Sequence, residues 1–337
     1  LRFIRQAELA AYDDWDKLRP ALQGLETRLM YITPDGFRYD LYGGPLAGRQ
    51  GVHLAEEFDG EHHWPFELLL SEGAYEMGAT VERVNVLKRE INLGVKIGGR
   101  AIPYNNYQYR MAESRWWQGQ DEERDGWLGV YTRYSGWRWL RVRPAKTVSG
   151  SQKRDPVAFG NNFASWNLTW IAQKPYYSKP SFWKTWQNTH ENAAHFTGGG
   201  EGVVTLANRG DLTSYPQFIV PPGTCWVEDG NSDRMVPLPL ITANDGYVLV
   251  DTDPTARTLT ASNDPVDNIF YKIARQSKIL DFFLHDLAAS GEPIWKRFDK
   301  RFMSGVAPKT IAQIRVKHSD PQAKITVILP QRYKRSR

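Results

Sequence analysis

The chain holds one cysteine, Cys225, in 337 residues. No intrachain disulfide can form, and metal sites built from two or more cysteines are excluded. Beside Trp226, after a turn, a lone cysteine reads as a small buried residue, and the chain suits assembly in a reducing compartment. Long apolar runs are also missing. Nothing approaches the ~20 apolar residues a helix needs to cross a bilayer, so no membrane span is expected. No signal-peptide pattern opens the sequence, so export by a Sec-type route is not expected either. Charge of one sign is not concentrated. The formal net charge is +5, spread along the chain, whereas a nucleic-acid binder shows a clustered basic face. The one dense basic run, Arg332-Tyr-Lys-Arg-Ser-Arg337, reads as a solvated tail.

Motifs of catalysis are equally scarce. Gly198-Gly-Gly-Glu-Gly202 lacks the Lys-Ser/Thr of a phosphate loop and opens no helix, so it reads as a turn. No Gly-x-Ser-x-Gly elbow occurs. His62 and His63 are adjacent, and adjacent residues of a strand point to opposite faces. His190 and His195 are also spaced to diverge on a helix. Asp229-Gly-Asn-Ser-Asp233 lacks the ligand spacing and closing Glu of a calcium loop and reads as a hairpin turn. Asp251-Thr-Asp253 with Pro254 reads as a strand exit. Arg209-Gly-Asp211 matches an adhesion tripeptide, but a turn already accounts for it. No catalytic, cofactor-binding or metal-binding residue is assigned, and no enzyme is expected.

What the chain has is strands, turns and tryptophan. Hydrophobic residues make up 41%, enough to fold. The 20 Pro and 28 Gly imply the many turns of an all-β chain. There are 13 Trp, a residue common at wet interfaces. Residues 1–23 carry helical spacing (Leu1, Ile4, Leu9, Tyr12, Trp15) and read as an amphipathic arm. Packing on its own domain and reaching a neighbouring subunit both stay open for that arm.

From residue 25 strands dominate. Leu29–Thr33 and Phe37–Leu41 flank the turn Pro34-Asp-Gly36. A Gly-rich passage, Gly43–Gly60, precedes strands at 64–70, 79–86 and 90–97, with Ile91, Leu93, Val95 and Ile97 on one face. Tyr104, Tyr107, Met111, Ser114 and Gln118 share a helical stripe that ends near Gly119. Strands return at 126–131, 136–143 and 165–171. On the second of these, Trp137, Trp139, Arg141 and Arg143 share a face that suits a partner. Lys174–Ser181, with two prolines, reads as an extended linker. Further strands follow at 202–207, 215–220, 236–242, 247–251, 256–261, 310–317 and 324–329, with an irregular or short helical piece near 278–287. Two phrases there match in design: Leu206–Pro216 and Val248–Pro254 each set a strand against a Gly/Asn/Asp/Pro turn.

In order, these pieces resemble a family. The carriers are Tyr31–Gly36, Gly48–Leu54, the strands of 81–97, the helix of 107–118 and Trp137–Arg143. Trp170–Tyr177, Asn208–Asp211 with Tyr215-Pro216, Val250–Thr252, Ile294–Phe298 and Ile325–Tyr333 complete the series. The order is similar to that of distal tail proteins, or minor tail proteins, of long non-contractile-tailed phages, as in those infecting actinobacteria. The resemblance covers residues 25–335. It leaves out residues 1–23 and the loop 152–162.

The resemblance implies a mainly β chain in three parts. Residues 1–23 form a helical arm. Residues 24–178 form a tail-tube-like β-barrel or sandwich with one helix, the ring-forming belt. Residues 179–337 form a galectin-like β-sandwich. It implies a homohexameric ring at the virion tail tip that joins the tail tube protein to the tip hub, beside the tape measure protein. DNA would pass through without specific binding, and assembly would occur in the host cytoplasm. Trp116, Trp117, Trp137 and Trp139 are candidates for the ring or partner interface. Arg138, Arg141 and Arg143 are expected off the channel wall, because phosphate contacts hold DNA. An alternative is a carbohydrate-binding sandwich that contacts host cell-wall glycan, with Trp226 and Trp295 stacking on sugar.

Overall fold

The computed structural model describes residues 24–337 apart from 25, 74, 76, 100–103, 149–154, 159, 190–199, 255–258, 262–291 and 294–296. The arm of 1–23, His190, His195, the whole of the 278–287 piece and Trp295 therefore lie outside the described residues. The chain divides into two compact units: Leu1–Tyr177 with Lys334–Arg337, and Ser178–Tyr333. Residues 334–337, which the sequence reading runs on from the second domain, cluster with the first unit.

The first unit is antiparallel β with the one α-helix found among the described residues. Its strands are β1 (Arg28–Ile32), β2 (Arg38–Tyr42), β3 (Val52–Asp59), β4 (Phe66–Ser71), β5 (Thr80–Val86) and β6 (Arg89–Ile97). After the helix α1 (Asn106–Gln118) come β7 (Gly126–Thr132), β8 (Gly136–Pro144) and β9 (Ala164–Ala172). The pairing order is β2-β1-β7-β8-β9-β6-β3, while β4 and β5 form a separate two-stranded sheet. The alternation on β6 buries Ile91, Leu93, Val95 and Ile97 to 1% exposure or less. Thr33 and Gly36 close the β1–β2 turn. Gly36 sits at φ 86°, and its N–H donates to the Thr33 carbonyl at 2.8 Å, a conformation that favours glycine.

Helix α1 opens with a capping box. The Asn105 side chain accepts from the Gln108 N–H at 2.8 Å, and the Gln108 side chain accepts from the Asn105 N–H at 3.0 Å. It ends at Gly119, as the sequence indicated. The stripe picked out by spacing faces outward, however: Tyr107 is 72% and Met111 44% exposed. The buried face is Tyr109 and Trp116. Periodicity says which residues share a face, and the largest rings decide which face packs.

The second unit holds β10 (Tyr177–Gln187), β11 (Gly200–Asn208), β12 (Gln217–Val220), β13 (Cys225–Glu228) and β14 (Met235–Pro237). β15 (Val248–Asp251), β16 (Leu259–Ala261), β17 (Glu292–Pro293), β18 (Thr310–His318) and β19 (Lys324–Tyr333) follow. One sheet runs β17-β16-β15-β12-β19-β10 and the other β11-β18-β13-β14. One cluster of buried side chains from both sheets, Phe218, Val227, Val250, Ile314 and Val327 among them, makes this a β-sandwich.

Four strands were not read from sequence: β3, β10, β13 and β17. β3 lies in the Gly-rich passage, where turns mask the pattern. β10 begins in the Pro-rich stretch read as a linker. Proline did hold that stretch extended, and extended chain can pair: Pro180 is exposed, where its missing N–H costs little.

Candidate assembly surfaces

The aromatic crowding of the first unit is mostly internal. Trp116 is fully buried. Its ring meets Tyr39 edge-on at 4.9 Å and Tyr31 at 5.8 Å, while Tyr31 stacks on Trp170 at 4.5 Å. The end of α1 is tied into this cluster. Tyr31 Oη donates to the Gly119 carbonyl at 3.1 Å, and Trp170 Nε1 donates to Gln120 at 3.0 Å. Burial pushes the Tyr39 hydroxyl up to about 12. Trp117 is partly buried against the edge of Trp166 at 5.2 Å.

On β8, Trp137 and Trp139 stack at 5.3 Å, and Trp137 also meets Tyr131. Trp139 is 6% exposed. It lies over Gly129, its partner on β7, where a Cβ would come within 2.6 Å of the indole. Trp137 alone of the two keeps an accessible flank. Further along this face Arg141 and Arg143 both pair with Asp125, at 2.9 and 2.6 Å, and Arg141 covers the Trp127 ring. Arg138, on the other face, donates to the Arg335 carbonyl at 2.8 Å. Of the four aromatic candidates, Trp116 and Trp139 are core, and Trp117 and Trp137 reach the surface.

The basic tail is anchored and only partly solvated: Lys334, Arg335 and Arg337 are exposed, while Arg332 and Tyr333 are buried. Ser336 is fully buried. Arg89, 1% exposed, donates to four carbonyls: Pro175 at 2.9 Å, Gly60 at 3.0 Å, Glu61 at 2.7 Å and Lys334 at 2.7 Å. Ser336 Oγ contacts His62 Nδ1 at 3.2 Å and Glu61 at 3.4 Å. Arg337 pairs with Glu61 at 3.4 Å. Burial holds the Glu61 carboxyl above its ordinary range, against the pull of Arg337, Ser336 and Arg89. Burial, then Arg337, holds His62 below its own. His62 and His63 sit in a bend rather than a strand, with rings 5.1 Å apart. Among the described residues no group of three or more His, Cys, Asp or Glu is placed to hold a metal ion.

In the second unit the two matched phrases come together. β12 pairs with β15, Gln217 donates to Asp251 at 2.9 Å, and Thr252 Oγ1 donates to the Pro216 carbonyl at 2.7 Å. Asn208 braces its own turn and Val306. Asp229 is fully buried and receives Met303, Ser304 and Arg234. It is a strut of the β13–β14 hairpin, as the turn reading had it. Cys225 is buried. Trp226 is partly buried on β13, in register with Pro237 and Lys317.

The surface that sequence reasoning passed over is the β4–β5 hairpin. Nearly every residue on it is exposed. Its signal was alternating apolar residues in both strands, read only as strands.

No family model matches the chain, and no curated protein matches it. Solved structures do. The fold is similar to that of phage Dit and baseplate proteins. The SPP1 Dit protein, described as a paradigm of the hub adsorption apparatus of phages infecting Gram-positive bacteria, superposes with a TM-score of 0.52 at 11% identity. That match covers 91% of this chain and 99% of the other. A chain of the phage P2 baseplate, in its activated conformation with calcium, gives 0.53 at 10% identity over 91% and 98%. The same baseplate with strontium gives 0.50 at 9% identity over 88% and 99%. No described helix is long and apolar enough to cross a membrane.

Proposed function

We propose that this chain is a structural protein of the phage tail tip, a distal tail protein that closes a hexameric ring between the tail tube and the tip hub. The observation that carries the reading is the extent of the fold likeness: both units together match Dit and baseplate chains over nearly their whole length. The first unit is the belt around the DNA path. The second is the outer, galectin-like sandwich that meets other tip proteins. The tail tube protein, the tape measure protein and the hub are its neighbours, and assembly takes place in the host cytoplasm. Engagement of Arg141 and Arg143 by Asp125 supports a DNA path without strong phosphate contacts. Partly buried Trp226 gives the glycan-binding alternative no particular support.

Light scattering and negative-stain imaging of the purified protein test this. The expected particle is a six-fold annulus of six times 38.7 kDa. A monomer at all concentrations, or antibody labelling of virions away from the tail end, would count against it.

A further inference from the structure

A pocket of 200 Å³ opens where the end of α1 meets β8 and β9. Trp117, Leu168 and Trp170 give it apolar walls, and Gln120, Glu122 and Lys146 bring polar groups to it. Trp170 is fully buried. Trp117 is partly buried, and Glu122 and Lys146 are exposed. The floor is therefore aromatic and the rim charged.

Gln120 gives this pocket its chemistry. Its Oε1 accepts from Trp170 Nε1 at 3.0 Å. An indole N–H can only donate, so the amide is oriented with its oxygen toward Trp170 and its nitrogen away. That nitrogen, Nε2, is buried and meets no acceptor among the described residues. A buried N–H is ordinarily paired, and leaving it unpaired is costly. A ligand in the pocket would supply the acceptor.

Three features narrow the ligand. The volume falls below the ~300–1,000 Å³ of drug-sized sites, so it suits a single ring. Trp117 offers apolar surface to one side of that ring. The amide and Lys146 donate while Glu122 accepts, so the ligand must both accept and donate, as hydroxyl groups do. Glu122 and Lys146 together carry no net charge, so the rim selects neither an anion nor a cation. A pyranose meets every condition: a C–H face for the indole and hydroxyls around its edge.

We propose that this pocket binds one pyranose residue of a saccharide. The ring lies against Trp117, one oxygen accepts from Gln120 Nε2, and a hydroxyl donates to Glu122. The site belongs to the first unit, unlike Trp226 and Trp295, and it stands independently of the ring reading.

Saturation-transfer NMR of the full chain with glucose, galactose, mannose, N-acetylglucosamine and rhamnose tests it. At least one of these sugars is expected to bind saturably in the millimolar range. Gln120→Glu keeps an acceptor for Trp170 and removes the amide donor. Glu122→Ala changes an exposed rim residue and should keep wild-type circular dichroism. Each should weaken binding roughly tenfold or more, and Trp117→Ala should abolish it. Trp226→Ala should leave it unchanged. No binding by any of the five sugars overturns the proposal. So does binding that Glu122→Ala and Gln120→Glu leave intact, or a crystal soaked in the sugars that shows only water at Gln120 Nε2. The oligomeric state of the wild type decides the ring reading separately.

Discussion

His318 carries the clearest pH signature at the scale of one residue. It is fully buried on β18. Nδ1 accepts the Asp320 N–H at 3.0 Å, and Nε2 faces the Pro221 carbonyl at 3.4 Å. That pattern suits a neutral ring with its proton on Nε2. Burial lowers its pKa below the ordinary 6.5, although Pro221 and Asp320 pull the other way. A depressed histidine binds its proton less well folded than unfolded. Stability is therefore whole above the unfolded value and declines as pH falls through about 6.5. Glu61 and Asp251, both raised by burial, contribute with opposite sign. The readout is thus the difference between wild type and His318→Gln. Urea unfolding at pH 7.5 and 5.5 should show a larger acid-side loss in the wild type, and equal losses would sink the assignment. Residue chemistry was unevenly legible. Asn208 bracing its own turn was readable. Gly210 is glycine for another reason than a left-handed φ: a Cβ there would strike the Arg332 backbone, a contact no local pattern announces.

At the scale of elements, α1 depends on its cap more than on its length. At 13 residues an isolated helix is marginal, and its packed face is narrow. Asn105→Ala removes the half of the capping box that the Gln108 N–H donates to the Asn105 side chain, and leaves the residue-105 N–H free to donate to Gln108. It should destabilise the first unit by about 1 kcal/mol, and Asn105→Ser should recover most of that. Denaturant midpoints of the three proteins at constant slope check it; no difference would mean the cap is redundant. The helix, its end at Gly119 and most strands were legible because their cues lie within a few residues of one another. β3 and β10 were not, because Gly and Pro speak of turns locally while pairing partners lie far along the chain, as with β3 and β6. Among the candidate interface residues, aromatic density pointed to Trp116 and Trp139, and density inside a fold is first of all core. The β4–β5 ribbon shows its pattern in sequence. Only the structure shows that the patterned side is bare.

At the scale of the whole molecule, the second unit is an insertion. It opens with β10 and closes with β19, which are neighbours in one sheet. The Asn188 N–H donates to the Ala323 carbonyl at 2.9 Å, and Thr185 meets Thr326 at 2.9 Å. The chain thus enters and leaves the sandwich side by side, an arrangement that tolerates insertion into another fold. The first unit, by contrast, is completed only when residues 334–337 return to it. Arg89 is the fastener, since it bonds carbonyls at 60, 61, 175 and 334 at once. Its planar fork reaches all four, and the single ammonium of lysine cannot. Arg89→Ala leaves buried carbonyls unpaired and should cost the first unit roughly 3–5 kcal/mol, with Arg89→Lys recovering only part. Deleting 334–337 should act in the same direction. Residues 178–333 expressed alone should fold cooperatively, because their core is their own. Hydrogen exchange separates the units: Arg89→Ala should lose protection in β6 and β9 and keep it in β11 and β18. Equal loss in both units would mean that they unfold as one body and that the insertion has no energetic boundary.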